Sequence, residues 1–361
     1  PLHGTGNIPV QRVLSELGFT NVYVVPEQEL PNGYFSTVEF PNPEDARAFE
    51  MALKLAKRVD ADIVLATDPD ADRLGVYAKD SETGEYKSFT GNMSGLLIAE
   101  YLLAQKKERG ELPKNGALIS TIVSSNLAKA ISNEYNVDFI EVLTGFKYIG
   151  EQIRGFEKTN KKEYLFGFEE SYGCLVGTHA RDKDAITAVM MLCDAAAYYK
   201  KQGITLWDQM INIYKKYGFY KETISTITLK GADGAIKMKE LLESIRNNPP
   251  KELGGYKVTK VRDYQTGKIV DKVSKEIGYG IHNKEGQVTI KSGIIVTETS
   301  QESGATYGIY NQSEEAVVIE GGNVIAEAKG KGAISAGIYN LAGKEIQVSG
   351  GGVLGNALAE S

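Results

Sequence analysis

Residues that build covalent or metal frameworks are scarce in this sequence, which has two cysteines and three histidines among 361 residues. Cys174 and Cys193 do not suggest a disulfide framework or a zinc site with four ligands. Both cysteines lie in apolar segments, so we expect them to be reduced and buried. Reduced thiols are typical of a cytoplasmic protein, and that is the location we predict.

Long apolar runs are also missing. The longest, from Ala185 to Cys193, is followed by Asp194 and falls short of the roughly 20 residues that a membrane helix needs. No secretory signal pattern precedes it, and the sequence begins at Pro1 without an initiator methionine. We therefore expect no membrane partner, and we expect that the parent chain extended further upstream.

An excess of positive charge is absent as well, since the formal net charge is −6. A surface that binds nucleic acid neutralises phosphates with lysine and arginine, so this balance argues against a nucleic-acid partner. A small anionic substrate remains compatible with an acidic protein, because a local cluster of cations is enough to bind it.

Alternating strand and helix patterns run from Pro1 to about Tyr264. We predict strands over 21–25, 62–66, 74–78, 86–90, 117–123, 138–143 and 164–168, and helices over 43–59, 92–109, 126–135, 146–157 and 182–201. Asn42 is the candidate N-cap of the helix over 43–59, with Pro43 at its first position. The order predicts two α/β units with mixed, largely parallel sheets, divided near Gly110–Gly116.

The chain after Lys221 changes character. A strand, a helix over 235–246 and a strand over 256–261 read as the start of a further α+β segment. Beyond Lys268 there is no Pro, Arg, Phe, Trp, Met or Cys, and a Gly-Ile pair recurs at 280, 308 and 337. Short strands at a fixed spacing with glycine corners predict a β-solenoid, and a differently paired or loosely ordered β segment is the alternative.

These patterns divide the chain into four predicted segments. They are an α/β domain with an aspartate-rich loop over 1–115, a second α/β domain over 116–220, a partial segment over 221–268 and a β-rich repeat tail over 269–361.

An aspartate-rich turn follows the apolar strand predicted at 62–66. Asp68, Asp70 and Asp72 alternate along it, and Arg73 comes next. Three carboxylates at this spacing can converge on one hard cation such as Mg²⁺, and the guanidinium suits a phosphate. An EF-hand is excluded, because Arg73 replaces the required glycine and Lys79 stands where the last glutamate belongs. The alternative is a solvated turn without a ligand.

Glu169 and Ser171 lie in a second turn, Gly167–Gly173, directly after another predicted strand. Glutamate and serine at the carboxyl end of a sheet suit hydrogen bonds to sugar hydroxyls. Cationic residues follow at the start of the long predicted helix, where the alternative is that Asp182 or Asp184 merely caps the helix. Lys147 begins another helix, where the alternative is an ordinary solvated lysine. The cationic residues are His179, Arg181 and Lys183, which together favour an anion site.

Together these segments resemble the α-D-phosphohexomutases over about residues 1–265, and the bacterial phosphoglucomutases and phosphomannomutases in particular. The similar segments are Pro1–Asn7, Asp68–Arg73, Thr144–Gly150, Gly167–Gly173 and His179–Asp184. The resemblance implies exchange of phosphate between the 1- and 6-positions of a hexose phosphate, through a phosphoserine and a glucose 1,6-bisphosphate intermediate that also serves as activator.

The resemblance also implies residue roles. The three aspartates would hold Mg²⁺, Arg73 would steady the transferring phosphoryl group and Lys147 would act as acid or base. Glu169 and Ser171 would bind sugar hydroxyls, and Arg181, Lys183 and His179 would bind the rest of the substrate. Neither the Ser-His-Asn-Pro segment nor the Ser-Gly-Thr-Glu-Pro segment of that family is in the sequence, so we expect a truncated and catalytically incomplete form.

Two hypotheses from other classes remain. A non-enzymatic scaffold would use the repeat tail as its binding part, with a partner that the sequence does not identify. A phosphatase with an aspartate nucleophile would also place aspartates after a strand, but the downstream aspartate pair that such an enzyme needs is missing.

Overall fold

The computed structural model describes residues 1–220, 222, 229, 231–264, 268–271, 278–283, 287–291, 294–299, 305–329, 334–341 and 345–358. The chain divides into two compact units, Pro1–Ile224 and Ser225–Ser361.

The first unit alternates helices with strands. Its helices are α1 Asn7–Glu16, α2 Pro26–Glu29, α3 Glu50–Val59, α4 Gly91–Glu108, α5 Leu127–Glu134, α6 Phe146–Thr159, α7 Ala185–Lys200 and α8 Leu206–Tyr217. Its strands are β1 Ile63–Thr67, β2 Leu74–Lys79, β3 Tyr86–Phe89, β4 Gly116–Thr121, β5 Asp138–Val142, β6 Glu163–Phe168 and β7 Cys174–Val176. A 3₁₀ turn, Ala46–Phe49, precedes α3.

The first sheet has the order β1-β2-β3, and both pairings are antiparallel. The prediction of a largely parallel sheet is therefore wrong for this domain. The connections 68–73 and 80–85 are too short for the crossover that parallel neighbours need, so consecutive strands can only fold back as hairpins.

The second sheet confirms the largely parallel prediction. Its order is β5-β4-β6-β7, in which β4 pairs in parallel with β5 and β6, and only β7 runs antiparallel. Helices α5 and α6 supply the crossovers between these strands. The carboxyl ends of β4, β5 and β6 consequently lie at one edge of the sheet, where α/β proteins usually bind ligands.

Two local predictions in the first unit are wrong. Asn21–Val25 carries no hydrogen-bonded secondary structure, although its residues favour a strand. The helix predicted from Pro43 begins later, because the Asn42 side chain accepts a hydrogen bond from the amide of Glu44 at 3.0 Å and forms a turn instead of a cap. The chain enters the 3₁₀ turn only at Ala46.

Helix α4 packs in the middle of the core, which explains why apolar residues occur on most of its sides. The Thr90 hydroxyl caps it by accepting from the amide of Met93 at 3.2 Å. Gly95 lies against the ring of Phe168, where a Cβ would come within 2.4 Å of a ring carbon. The helix thus approaches β6 closely. Among the described residues, no helix combines the length and the apolar content needed to cross a membrane.

The second unit begins with helix α9, Gly231–Asn247, close to the helix predicted over 235–246. The strand predicted after Lys221 falls mostly outside the described residues. The strands are β8 Glu252–Leu253, β9 Tyr256–Lys257, β10 Lys260–Asp263, β11 Lys268–Asp271, β12 Gly278–Asn283, β13 Val288–Ile290, β14 Ile294–Thr299, β15 Ala305–Asn311, β16 Val317–Ile319, β17 Asn323–Lys329, β18 Ile334–Asn340, β19 Ile346–Val348 and β20 Gly352–Leu358.

The strands of the tail pair mostly in parallel, with their repeated residues in register. Ile281 lies opposite Ile309, and Ile309 opposite Ile338, in the sheet β12-β15-β18. The sheet β13-β16-β19 and the strands β11, β14, β17 and β20 follow the same scheme. Over the ranges that the structure describes, none of these sheets closes on itself into a barrel or solenoid.

Candidate functional site

The aspartate-rich turn is organised by Asp68, whose side chain is only 1% exposed. Its Oδ1 atom accepts hydrogen bonds from the amides of Asp72 at 3.1 Å and Arg73 at 3.0 Å. Its Oδ2 atom accepts from Nε of Arg73 at 2.7 Å. Ala71 takes a left-handed conformation, with φ of 59°, and so lets the chain reverse. Asp68 therefore fixes the turn as well as contributing charge.

The three predicted metal ligands come together. One carboxylate oxygen each from Asp68, Asp70 and Asp72 lies within 4.8 Å of the others. Burial raises the pKa of Asp68 to about 6, Arg73 opposes this shift, and the neighbouring carboxylate of Asp72 adds to it. A cation among the three oxygens would offset that repulsion. An all-oxygen donor set of this kind fits Mg²⁺.

Arg73 is held by acidic and amide groups of the same domain. Its Nη1 atom lies 3.4 Å from Glu44 Oε1 and 3.4 Å from Asn42 Oδ1, in addition to the Nε contact with Asp68. The guanidinium therefore lies beside the aspartates, where it can also contact a phosphate.

Lys183 joins the aspartate-rich turn to the start of α7. Its Nζ atom lies 3.0 Å from Asp72 Oδ2 and 2.9 Å from Asp182 Oδ1, and its side chain is 17% exposed. The ammonium also lies over the ring of Phe146, 5.7 Å from the ring centroid. Burial opposes the charged form, but the carboxylates of Asp182 and Asp72 prevail and raise the pKa of Lys183. The lysine is thus charged and positioned beside the predicted metal ligands.

Backbone hydrogen bonds join the aspartate-rich turn to the glutamate turn. Arg73 and Gly173 form a β-bridge, and the amide of Leu74 donates to the carbonyl of Tyr172 at 3.0 Å. The amide of Ala185 donates to the carbonyl of Ala71 at 3.1 Å. The two turns, which are far apart in sequence, are therefore neighbours.

Gly173 is required where the turns meet. A Cβ at this position would lie 2.1 Å from Cδ of Lys183. A larger residue would push that side chain away from Asp72.

Glu169 is buried, at 5% exposure, and points to the loop that begins α6. Its Oε1 atom accepts a hydrogen bond from the amide of Gly145 at 3.0 Å. Burial raises the pKa of Glu169, while Lys183 acts in the opposite direction. Ser171 lies two residues further along and is half-buried. Glu169 and Ser171 therefore occupy the same turn as Gly173.

Lys147 is exposed in the first turn of α6, and its Nζ atom lies 5.1 Å from the centroid of the Tyr148 ring. Gly145 precedes that helix with φ of 117°, a conformation that favours glycine. Because Gly145 also contacts Glu169, Lys147 begins a helix next to the glutamate turn.

His179 and Arg181 are engaged elsewhere. His179 Nε2 lies 2.9 Å from Asp184 Oδ2, on the cap of α7. Arg181 forms an ion pair with Glu157 of α6 and donates to the carbonyl of Thr178 at 2.6 Å. Within residues 1–220, the polar contacts of these two side chains therefore lie at helix ends and do not include Glu169 or Ser171.

Sequence reasoning missed two residues of this region. Glu170 Oε2 accepts from the hydroxyl of Thr121, at the end of β4, at 2.8 Å. Asn92 Oδ1 accepts from the amide of Ser125 at 3.2 Å. Both contacts join segments that are distant in sequence, and no local pattern marks them.

Fold and site together define an α/β protein in which an aspartate-rich turn, a lysine and a buried glutamate are brought together by two domains. Residues 1–83 match the phosphoglucomutase/phosphomannomutase α/β/α domain II, and residues 90–217 match α/β/α domain III. Together the two matches cover more than half of the chain. The chain belongs to the phosphoglucomutase/phosphomannomutase family.

Individual relatives support membership of this family. The chain is 38% identical over 276 residues to a phosphoglucomutase of Staphylococcus epidermidis, a match covering 76% of this chain and 49% of that protein. It is 38% identical over 268 residues to a phosphoglucomutase of Staphylococcus aureus, covering 74% and 47%. The chain thus spans about half the length of the curated relatives it matches.

A solved structure supports the fold alone. A phosphoglucomutase/phosphomannomutase family protein from Burkholderia thailandensis superposes with a TM-score of 0.51 at 16% identity. The superposition covers 70% of this chain and 46% of that one.

Proposed function

We propose that residues 1–220 bind a divalent cation and a hexose phosphate at the two joined turns, as part of a phosphohexomutase-type site. The observation that carries the proposal is the Lys183–Asp72 ion pair at 3.0 Å, which lies where the β-bridge between Arg73 and Gly173 joins the turns. The joined turns then bring together three kinds of group. They are carboxylates for a cation, a cationic side chain for a phosphate and a buried glutamate for sugar hydroxyls.

Asp68, Asp70 and Asp72 would hold Mg²⁺. When bound, this ion would supply positive charge to neutralise a transferring phosphoryl group. Asp68 is fixed in advance by its three hydrogen bonds, whereas Asp70 is exposed and Asp72 is partly exposed. Because Asp70 and Asp72 are accessible to solvent, phosphate or water oxygens could bind the ion as further ligands.

Arg73 and Lys183 would orient the phosphate. Each already pairs with aspartates of the turn, so a phosphate oxygen would share these cations with the carboxylates. Arg73 would steady the transferring group through its planar guanidinium, and Lys183 would act as a compact point charge.

Glu169 and Ser171 would bind sugar hydroxyls. Glu169 Oε1 is engaged by the amide of Gly145, which orients the carboxylate and leaves the other oxygen to accept from a hydroxyl. Lys147, at the start of α6, would exchange a proton with the reacting oxygen.

His179 and Arg181 would bind the phosphate distal to the reacting one. To do so they would have to leave Asp184 and Glu157, their partners in the described structure. Such exchange of partners costs little for exposed ion pairs.

The full reaction would interconvert hexose 1-phosphate and hexose 6-phosphate with glucose 1,6-bisphosphate as activator. The 361 residues contain neither Ser-His-Asn-Pro nor Ser-Gly-Thr-Glu-Pro. We therefore propose that this polypeptide alone binds hexose phosphate without turning it over.

The division of the chain into 1–115, 116–220, 221–268 and 269–361 is part of the proposal. Although none of the described sheets closes on itself, we propose for the tail three stacked coils of a short solenoid, in which each coil would contribute one strand to each of three open sheets. Its support is the pairing of Val288 with Val317 and of Val317 with Ile346, each between successive copies of the repeat.

Calorimetric titration of glucose 1-phosphate into the full chain with MgCl₂ tests the binding proposal. Glu169→Gln is expected to weaken binding about tenfold or more, because a hydrogen bond to a charged group contributes about 1.5–3 kcal/mol. Glu151→Gln, an exposed position on α6, is the matched control and should bind as the unchanged chain does.

The cation is tested separately with Mn²⁺ as a paramagnetic probe. Asp70→Asn should weaken Mn²⁺ binding strongly, and Asp138→Asn, at the exposed start of β5, should not. Equal sugar phosphate binding by Glu169→Gln and Glu151→Gln would contradict the site. Sustained conversion of glucose 1-phosphate to glucose 6-phosphate in a coupled assay would contradict only the proposal of incomplete catalysis.

A further inference from the structure

Glu170 lies between Glu169 and Ser171 in the glutamate turn, Gly167–Gly173, but its side chain contacts a neighbouring strand. Its Oε2 atom accepts a hydrogen bond from the hydroxyl of Thr121 at 2.8 Å. Thr121 is the last residue of β4, which pairs with β6, and it is only 1% exposed. A carboxylate therefore joins the glutamate turn to the end of the strand beside it.

The hydroxyl of Ser124 extends this contact into a chain of hydrogen bonds. Its Oγ atom lies 2.8 Å from Thr121 Oγ1 and 3.4 Å from Glu170 Oε2. The amide of Ser124 also donates to the carbonyl of Thr121 at 2.9 Å. A hydroxyl has one proton to donate and a carboxylate only accepts, so Thr121 donates to Glu170 and Ser124 donates to Thr121. A chain that ends on a carboxylate is stronger than one between neutral groups.

The backbone of the glutamate turn depends on such support, because Tyr172 takes a left-handed conformation with φ of 66°. This conformation is unfavourable for an aromatic residue and persists only where the surrounding structure requires it. The first residue of α4, Gly91, packs against the turn, and a Cβ there would lie 2.1 Å from the carbonyl oxygen of Glu170. The amide of Glu169 closes the turn by donating to the carbonyl of Gly173 at 2.8 Å. Helix α4 and the end of β4 therefore hold the turn from two sides.

Glu169 is oriented by this arrangement. Its Oε1 atom accepts from the amide of Gly145 at 3.0 Å, whereas Glu170 accepts from Thr121. The two adjacent carboxylates thus contact different segments, the loop before α6 and the end of β4. A shift of the turn would move Glu169 relative to Gly145 and would also move Ser171. Both residues proposed to bind sugar hydroxyls therefore depend on where Glu170 is held.

We propose that Glu170 is a positioning residue and does not itself contact the sugar. Its hydrogen bonds at the end of β4 hold Glu169 and Ser171 where sugar hydroxyls would bind. That the held residues bind a sugar rests on the proposed function, whereas their positioning can be measured without a ligand. The alternative is that Glu170 contacts the sugar directly, in which case loss of the Thr121 hydroxyl would matter little.

Amide hydrogen exchange of the full chain without ligand tests the positioning. Glu170→Ala is expected to speed exchange of the Gly145 amide at least about fivefold, because Glu169 would no longer be held in place to accept from it. Glu170→Gln keeps a carbonyl oxygen for the Thr121 hydroxyl and should restore slow exchange. Glu163→Ala, at the exposed start of β6, is the matched control and should not change it. Unchanged exchange of the Gly145 amide in Glu170→Ala would overturn the proposal.

A second variant keeps the test decisive if Glu170→Ala does not fold. Thr121→Val replaces the hydroxyl by a methyl group of similar size and should speed exchange of the Gly145 amide by a similar factor. Amides in the middle of α7 should exchange slowly in every folded variant, which separates a local change from unfolding. If Thr121→Val leaves Gly145 as slow as in the unchanged chain, the hydrogen bonds at the end of β4 do not position the turn.

Calorimetric titration of glucose 1-phosphate with MgCl₂ tests the role in sugar binding. Glu170→Ala and Thr121→Val should each weaken binding at least about fivefold. The double variant should bind as weakly as the weaker single variant and no more so, because both changes remove the same contact. Mn²⁺ affinity should change by less than about twofold, which a general loss of structure would not allow. Effects that multiply in the double variant would show that Glu170 acts independently of Thr121 and would overturn the proposal.

Failure of the positioning and failure of the proposed function give different results. If the unchanged chain does not bind glucose 1-phosphate, the proposed function is wrong, and exchange of the Gly145 amide still decides whether Glu170 positions Glu169. If the unchanged chain binds the sugar phosphate and Glu170→Ala binds it equally well, the positioning is wrong and the proposed function stands.

Discussion

The two compact units of this chain are stabilised by different kinds of contacts. In the first unit, aromatic rings from distant segments meet: Phe89 of β3 contacts Trp207 of α8, and Tyr101 of α4 contacts Tyr199 of α7, each with 5.8 Å between ring centroids. In the tail, the buried cluster consists of aliphatic residues such as Ile309 and Val317. Rings thus join different elements in the first unit, whereas in the described part of the tail the rings of Tyr310 and Tyr339 contact each other and the buried cluster is aliphatic.

The neighbours in the tail come from successive copies of the same repeat. Tyr310 stacks on Tyr339 with ring centroids 5.3 Å apart, and the Asn311 side chain donates to that of Asn340 at 3.0 Å. Like residues thus contact like residues one repeat away. A change in the first unit should consequently act on the whole unit, whereas a change in the tail should act mainly on adjacent strands.

The largest expected effect is in the first unit. Phe168→Ala removes a fully buried ring and should lower the free energy of unfolding by about 3–5 kcal/mol. Denaturant unfolding followed by fluorescence of Trp207, the only tryptophan, measures it. Tyr34→Ala, at a position that is 95% exposed, is the control and should change stability by less than about 0.5 kcal/mol. A small effect of Phe168→Ala would mean that the ring is not part of a cooperative core.

A somewhat smaller effect is expected in the tail. Ile309→Ala, at another fully buried position, should destabilise the tail by about 2–4 kcal/mol. Circular dichroism should show a transition at lower denaturant, while the Trp207 transition stays where it is. Val348→Ala, at a position that is 51% exposed, should leave both transitions in place. If Ile309→Ala moved the Trp207 transition equally, the contrast between the two units would be broken.

Much of the first unit follows from local sequence patterns. The helices observed at Gly91–Glu108 and Phe146–Thr159 agree with the predicted ones to within two residues. Apolar periodicity marks only the second, because the first is buried on most of its sides. Helix α8 was missed, although Thr205 and Asp208 form a capping box at its start and could have indicated it.

The pairing of strands within the sheets could not be predicted from local sequence patterns. Among the described residues Asn21–Val25 pairs with no strand, and a strand pattern alone does not identify a neighbour. The hairpin connection 68–73 made the first sheet antiparallel, a consequence of loop length that residue composition does not reveal.

The candidate site shows the same limit. The spacing of Asp68, Asp70 and Asp72 was enough to predict that they converge. The ion pair of Lys183 with Asp72 depends on the packing of two domains and was not predictable from either segment. Whether these residues bind a cation and a sugar phosphate remains the proposal that the titrations test.

The smallest expected effect concerns two thiols of the first unit. Burial raises the pKa of Cys174 and of Cys193 from 9.0 to about 12. The folded state therefore keeps both protonated where the unfolded state ionises. Each contributes stability that is fully present below pH 9 and is lost as the pH rises towards 12. At pH 10 the loss is on the order of 1 kcal/mol per thiol.

Unfolding at pH 8 and pH 10, followed by Trp207, measures this loss. Buried tyrosines add their own alkaline loss, so the comparison is with the double variant Cys174→Ala and Cys193→Ala, which should lose less stability over the same interval. The sequence after Lys268 contains no cysteine, so this contribution belongs to the first unit alone. An identical loss in the double variant would show that the thiols are not in a desolvated core, and the proposed contrast between a densely packed unit and a stacked tail would lose one of its supports.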